Sequence, residues 1–289
     1  MSLDEDDESE IGLNMAIDES SAVGLEMKEN MLTVINTNAR SLCPKLDSLI
    51  NCFSEMAVDI GIVTETRMRD GDKFETLLSD LRQAAGIGSI TKNRRANAET
   101  GVAHGGVGIF YRISSASFKK MDFDTLDFEV LPVVGSLAGS CRKIVVVGAY
   151  IPPNYTTARA NDCMDMIVVI EARRRYRDPC ILVAGDFNQW QVERALEEFV
   201  DIGEVRVGPT RGDREIDRMF CNFRTGMTES GTIPSLETEG EGQEVRRSDH
   251  LVAHMTTTLP HRRSFEWLSY SYRHCTEEAE KMGDHARLE

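Results

Sequence analysis

The sequence predicts an α/β (α+β) domain built in layers, with sheets covered by helices. Three observations lead there. Short runs rich in β-branched residues are interspersed with segments of helical periodicity. Two strand-like runs, "FEVLPVVGSLAG" and "RKIVVVGAYI", follow one another across a short Gly/Ser turn, the connection of an antiparallel pair. Strands and helices do not alternate strictly, so the chain is not a plain series of βαβ units.

Each element follows from its residues. "MLTVIN" (31–36) is the first strand. "KLDSLINCFSEM" (45–56) has helical spacing through Leu46, Leu49, Ile50 and Phe53, with Pro44 near its start, where a missing N–H is tolerated. "VDIGIVT" (58–64) is a second strand and "KFETLLSDLRQA" (73–84) a second helix. Residues 89–104 are polar, basic and irregular, and predict a loop. "GGVGIFYR" (105–112) is a strand opened by glycines. After the antiparallel pair, residues 157–177 predict a long helix whose terminal arginines suit the negative end of its dipole. "CILVAGDF" (180–187) is a strand and "VERALEEFV" (192–200) a helix. "EIDRMFCNF" (215–223) and "SDHLVAHMTT" (248–257) are late strands, separated by a polar loop at 224–245 rich in Gly and Glu. No internal repeat of solenoid period is present.

The 289 residues allow one large or two small domains, and 41% hydrophobic with 28% charged residues is ordinary for a globular chain. Residues 1–30 hold ten acids against one lysine and no apolar periodicity, the signature of a disordered acidic tail. The patterned domain runs from 31 to 258, and 259–289 form a weakly patterned extension. No apolar run is long enough to cross a bilayer, so no membrane association is expected. The N-terminus lacks the layout of a signal peptide, and the seven scattered cysteines include no CxxC pair. An intracellular, reducing compartment is therefore expected, not secretion. The net charge of −15 argues at first against nucleic acid. Basic clusters nevertheless stand out at Lys92/Arg94/Arg95, Arg173–Arg175 with Arg177, Arg246/Arg247 and Arg262/Arg263. Singly each is best explained as a solvated face; as a set they are compatible with phosphate contacts.

The chemistry-bearing residues gather at strand ends. "MLTVIN" runs into Asn36 and Asn38, "DIGIVT" into Glu65, "KIVVVGA" into Tyr150, and "CILVAG" into Asp186 and Asn188. Two further runs begin with such groups: Asp217 before "RMF", and Asp249 with His250 before "LVAH". Where strands are antiparallel, the end of one lies beside the start of the next, so all these groups can share one rim. Several carboxylates on such a rim are expensive to bury without a counter-charge. An oxygen-rich set with few histidines suits Mg²⁺, with Mn²⁺ as substitute, and not zinc. Asp186 and Asn188, two apart, are expected on one side of their strand, a pair able to grip an attacking water from two directions. Taken alone, Asp186 and Asn188 are ordinary turn residues and His250 an ordinary core histidine; the company they keep favours chemistry. Thr210 and Ser248 adjoin the motifs, where a hydroxyl can hydrogen-bond the site.

Six stretches, "NTNARSL", "IVTETRM", "GAYIPPN", "VAGDFN", "TRGDREIDRMF" and "RSDH", occur in an order that resembles the endonuclease/exonuclease/phosphatase superfamily. "NARSL", "YIPPN" and "PTRGDREIDRMFCN" look most like the endonuclease domains of non-LTR retrotransposons. The resemblance implies a DNase I-like sandwich: two mixed, largely antiparallel sheets packed together and flanked by helices. It implies a Mg²⁺-dependent endonuclease that nicks chromosomal DNA, monomeric, with DNA as partner and no obligate protein partner, nuclear when acting on chromosomes. By resemblance, Glu65 is the principal metal ligand, with Asn38 and Asp249 also assigned to metal. Tyr150 contacts the scissile phosphate, Asp186 with Asn188 handles the attacking water, and Asp217 pairs with His250. Thr37 departs from the family, in which an aromatic is common at that position. The competing expectations are another phosphoesterase of the same fold (an abasic-site endonuclease, or an inositol or lipid phosphatase), or an inactive remnant that still binds nucleic acid.

Overall fold

A computed structural model describes residues 31–68, 72–93, 105–121, 129–140, 142–153, 176, 178–189, 202–238 and 245–259. The acidic tail, most of the helix expected at 157–177, the helix expected at 192–200, and the residues after 259 lie outside the described residues.

The described elements run β1 (Met31–Asn38), α1 (Leu46–Glu55), β2 (Ile60–Thr64), α2 (Asp72–Ala85), β3 (Ile87–Lys92), β4 (Val107–Arg112), β5 (Ala116–Lys120), β6 (Glu129–Leu137), β7 (Lys143–Tyr150), β8 (Cys180–Asp186), β9 (Gly203–Val205), β10 (Asp217–Cys221), β11 (Met227–Ile233) and β12 (Val252–Thr258). The strands form two sheets of six, ordered β11-β12-β1-β2-β4-β3 and β5-β6-β7-β8-β10-β9. Both are mixed and largely antiparallel, as the resemblance implies. Each contains one parallel pair at its centre, β1 with β2 and β7 with β8.

Those parallel pairs revise the reason why strand ends converge. Parallel neighbours finish on the same side, so β1 and β2 deliver Asn38 and Glu65 to one rim, and β7 and β8 deliver Tyr150 and Asp186. β10 runs antiparallel to β8 and therefore starts there, with Asp217 directly opposite Asp186.

The loops expected at 89–104 and 224–245 are partly strand. Ile87–Lys92 pairs with β4, and Met227–Ile233 pairs with β12. Both are sheet edges, where an element pairs on one side only and keeps polar side chains toward water. β5 and β9, which have little apolar signal, are the edges of the other sheet.

The period of two sorts every central strand into two faces. Leu32 and Val34 of β1, Ile144 and Val146 of β7, Leu182 and Ala184 of β8, and Met219 and Cys221 of β10 all belong to the core between the sheets. The opposite face of the first sheet packs Ile35, Val63 and Phe110 onto Leu49 and Phe53 of α1. Stepping by two along the inner face of β1, β7, β8 and β10 leads from these apolar side chains to Asn38, Tyr150, Asp186 and Asp217. The site is the polar last rung of the core.

Candidate functional site

Gly185 is required where β8 reaches the rim. A Cβ there would lie 1.8 Å from the Ala149 carbonyl oxygen on β7, so no other residue lets the two strands run this close before Asp186. Asp186 is 1% exposed. Its Oδ2 accepts from Asn38 Nδ2 at 2.8 Å, and its Oδ1 accepts from the Asn188 backbone N–H at 2.9 Å. That second bond is an Asx turn closing the strand. Asn188 lies past the end of β8 with φ of 50°, and its side chain donates to the Ile151 carbonyl at 2.9 Å. The strand-side pairing expected for Asp186 and Asn188 is thus replaced by a turn in which Asn188 fixes the carboxylate.

Asn38 donates to Glu65 Oε1 at 3.0 Å as well, and its own oxygen accepts from the Arg40 N–H at 2.9 Å. Tyr150 donates its phenol to the same Glu65 oxygen at 3.0 Å, while Arg67 Nη2 lies 3.0 Å from Glu65 Oε2. Glu65 adopts φ of 45°, uncommon for a residue with a side chain. The neighbouring backbone enforces it: Ser41 N–H bonds the Glu65 carbonyl, Leu42 N–H bonds that of Thr66, and the Thr66 and Arg67 N–H groups bond Gly106 and Gly105.

His250 Nδ1 lies 2.6 Å from Asp217 Oδ2, and both residues are buried. Thr210 Oγ1 accepts from the N–H groups of Ile216 and Asp217, setting the start of β10. Ser248 Oγ donates to the Asn38 carbonyl at 2.6 Å and accepts from the His250 N–H at 3.3 Å, tying the histidine loop to β1. Asp249 pairs with arginines, its Oδ1 3.0 Å from Arg40 Nη1 and its Oδ2 2.7 Å from Arg211 Nη2, and Oδ1 also lies 3.9 Å from His250 Nε2. All eight residues given roles by the resemblance therefore meet at this rim, seven joined by hydrogen bonds and Asp249 at its exposed edge, while Asn36 donates to the Gly185 and Arg218 carbonyls one rung deeper. Arg40, Arg67 and Arg211 were not singled out. The signal for them was their place inside motifs, beside Asn38, Glu65 and Thr210.

Charge is unevenly held. Burial, then the charge of Asp217, pushes the Asp186 carboxyl up to about 7. Burial also raises Asp217. At His250, burial opposes the imidazolium, but the Asp217 carboxylate outweighs it and holds the pKa above the usual value. At Glu65, burial is outweighed by hydrogen bonds from Asn38, Arg67 and Tyr150, and the pKa falls. Burial and the Glu65 charge raise the Tyr150 phenol, which stays protonated. Ligand atoms of Asp186, Asp217 and His250 lie within 4.8 Å of one another, and Asp217 Oδ1 is buried with no hydrogen-bond partner. Crowded carboxylates, one with an orphaned oxygen, fit a hard divalent cation.

Alongside the rim runs an open cleft of about 550 Å³ whose walls include Asn188, Gln189, Arg211 and Arg214.

The sequence matches the endonuclease/exonuclease/phosphatase family over residues 21–250. Similar solved structures include the endonuclease domain of TRAS1, a telomere-specific non-LTR retrotransposon, with 13% identity over 79% of this chain and 99% of that chain, TM-score 0.56. A mannosyl-6-phosphatase of Bacteroides thetaiotaomicron has 14% identity over 78% and 98%, TM-score 0.57. The 3′ phosphatase NExo from Neisseria, bound to a product DNA hairpin, has 14% identity over 79% and 100%, TM-score 0.52. No curated protein matches the sequence. At these identities the structural likeness shows the fold.

Proposed function

The chain belongs to the endonuclease/exonuclease/phosphatase family, a hydrolytic, metal-dependent group, and from that membership we propose a Mg²⁺-dependent endonuclease that nicks DNA in the manner of retrotransposon target-site enzymes, acting on chromosomal DNA in the nucleus. One observation carries the hydrolytic part: two buried carboxylates, Asp186 and Asp217, face each other across adjacent strands, one of them with a pKa near neutrality. The motifs "NARSL", "YIPPN" and "TRGDREID" favour the retrotransposon type, and the arginines around the open cleft favour a polyanionic substrate over a small one.

Glu65 would hold the ion, with Asn38 fixing its carboxylate against that of Asp186. Bound Mg²⁺, or Mn²⁺ in its stead, supplies charge compensation for the phosphate oxygens. Asp186, with a pKa of about 7, is matched to take a proton from the attacking water. Its orientation is set on both oxygens, by Asn38 and by Asn188. His250, held protonated by Asp217 at Nδ1, keeps Nε2 for a phosphate oxygen that gains charge as the bond breaks. Tyr150, protonated, donates its one hydroxyl proton to Glu65 and so helps orient the carboxylate that would hold the ion.

The test is supercoiled plasmid with Mg²⁺, Mn²⁺ or EDTA, beside an abasic duplex and phosphomonoester and inositol phosphate substrates. Metal-dependent conversion of plasmid to the nicked circle, with little phosphate release, supports the endonuclease. Phosphate release without nicking makes it a phosphomonoesterase of the same fold. Cleavage confined to the abasic duplex makes it a repair-type nuclease.

A further inference from the structure

Asp249, given a metal role by resemblance, has both carboxylate oxygens engaged elsewhere. Oδ1 lies 3.0 Å from Arg40 and Oδ2 2.7 Å from Arg211. The two arginines come from separate segments of the chain. Arg40 sits in the bend after β1, where its N–H bonds Asn38 and the buried Lys45 ammonium bonds the Ala39 carbonyl at 2.6 Å. Arg211 sits in the tight turn before β10, where the N–H groups of Thr210 and Arg211 both bond the Arg214 carbonyl. Leu251 N–H bonds the Thr210 carbonyl at 2.7 Å, so the Asp249 loop is fastened to that turn by its backbone as well.

Exposed ion pairs contribute little to stability, and both guanidiniums are about half exposed, 49% and 46%. What the arrangement does fix is direction. A guanidinium carries five N–H donors in a rigid fork. One carboxylate oxygen for each arginine leaves most of each fork available. Arg211 is also part of the cleft wall, beside Asn188.

We propose that Asp249 is a positioning residue and not a metal ligand: it holds Arg40 and Arg211 as two guanidinium forks that bind the phosphates flanking the scissile one. The proposal rests on the DNA-cleaving assignment. It gives adjacent residues two main tasks, His250 acting at the bond that breaks and Asp249, whose Oδ1 lies 3.9 Å from His250 Nε2, ordering the groups that grip the strand on either side.

The experiment has two readouts: binding of the full chain to a fluorescein-labelled DNA duplex in EDTA, and nicking against Mg²⁺ concentration. The variants are Arg40→Ala, Arg211→Ala, Asp249→Asn and each arginine change combined with Asp249→Asn, with folding checked by circular dichroism. Each arginine change is expected to weaken metal-free binding several-fold, and the effect to shrink to less than twofold in the Asp249→Asn background. Half-activation by Mg²⁺ in Asp249→Asn is expected to stay within twofold of wild type. A tenfold rise in the Mg²⁺ requirement, or arginine effects that are the same with and without Asp249, overturns the proposal while leaving the nuclease assignment intact. A wild type that neither binds nor nicks DNA sinks both.

Discussion

Asn38 Nδ2 donates to Asp186 Oδ2 at 2.8 Å, a hydrogen bond from one sheet of the sandwich to the other. The same amide donates to Glu65, so a single side chain spaces two carboxylates whose separation the site depends on. Asn38→Ala leaves both without that donor in a buried setting. Metal-free stability is expected to fall by about 1–3 kcal/mol, and nicking by about 10²–10³-fold. Urea unfolding in EDTA and plasmid nicking measure the two. Stability and rate both near wild type would show that the bridge has no role.

Asp186 makes the metal-free protein sensitive to alkali. Its folded pKa of about 7 lies above the usual carboxylate value of about 3.9. Below about pH 4 folded and unfolded chains both carry the proton, and its contribution is fully present. As pH rises the unfolded chain loses that proton first, so stability declines through the folded pKa and levels off above it. The loss is on the order of a few kcal/mol. Asp186→Asn, unable to ionise, is expected to melt higher than wild type in EDTA at pH 8, with the gap closing toward pH 4, and to be inactive. Melting curves in EDTA from pH 4 to 8 decide this; an Asn variant no more stable than wild type at pH 8 contradicts it.

His250 owes its raised pKa to Asp217, which overcomes the opposing effect of burial. A raised pKa keeps the imidazolium populated to higher pH, and activity that needs it declines as pH climbs past the raised value. Asp217→Asn is expected to shift the alkaline limb of the nicking profile to lower pH. His250→Ala is expected to lower the rate by about 10²–10⁴-fold at every pH. Profiles at saturating Mg²⁺ for wild type and both variants are the check, and unchanged profiles would make the pair structural.

Gly185 is the position of least tolerance. A methyl group there meets the Ala149 carbonyl at 1.8 Å, which only separation of β7 from β8 can relieve. Gly185→Ala is expected to destabilise the fold by about 3 kcal/mol or more, with loss of activity following loss of structure. The urea midpoint measures it; a midpoint within error of wild type would mean that the strands part without cost.

The central strands were legible because they are buried on both faces and read as continuous apolar runs: "KIVVVGA" and "CILVAG" needed no further context. The strands missed or taken for loop, β3, β5, β9 and β11, are the four edges of the two sheets. An edge such as Met227–Ile233, "MTESGTI", is largely polar because water, not protein, covers much of it. At the rim, the residue types at strand ends marked the candidate site, and resemblance supplied expected roles. What single-strand patterns did not carry was connection across loops: that the Asn38 amide turns its nitrogen, not its oxygen, toward the carboxylates, or that Asp249 faces two arginines from separate segments. Those depend on where distant segments meet.

The pairing of β1 with β12 places Met31 opposite Thr258. The first residue of β1 and the last of β12 are therefore next-door neighbours, both at the start of β1, whereas the candidate site lies at its finish, roughly 23 Å away at about 3.3 Å per residue. Such a unit can be spliced into a longer polypeptide, or its ends joined and the chain reopened elsewhere, without disturbing the rim.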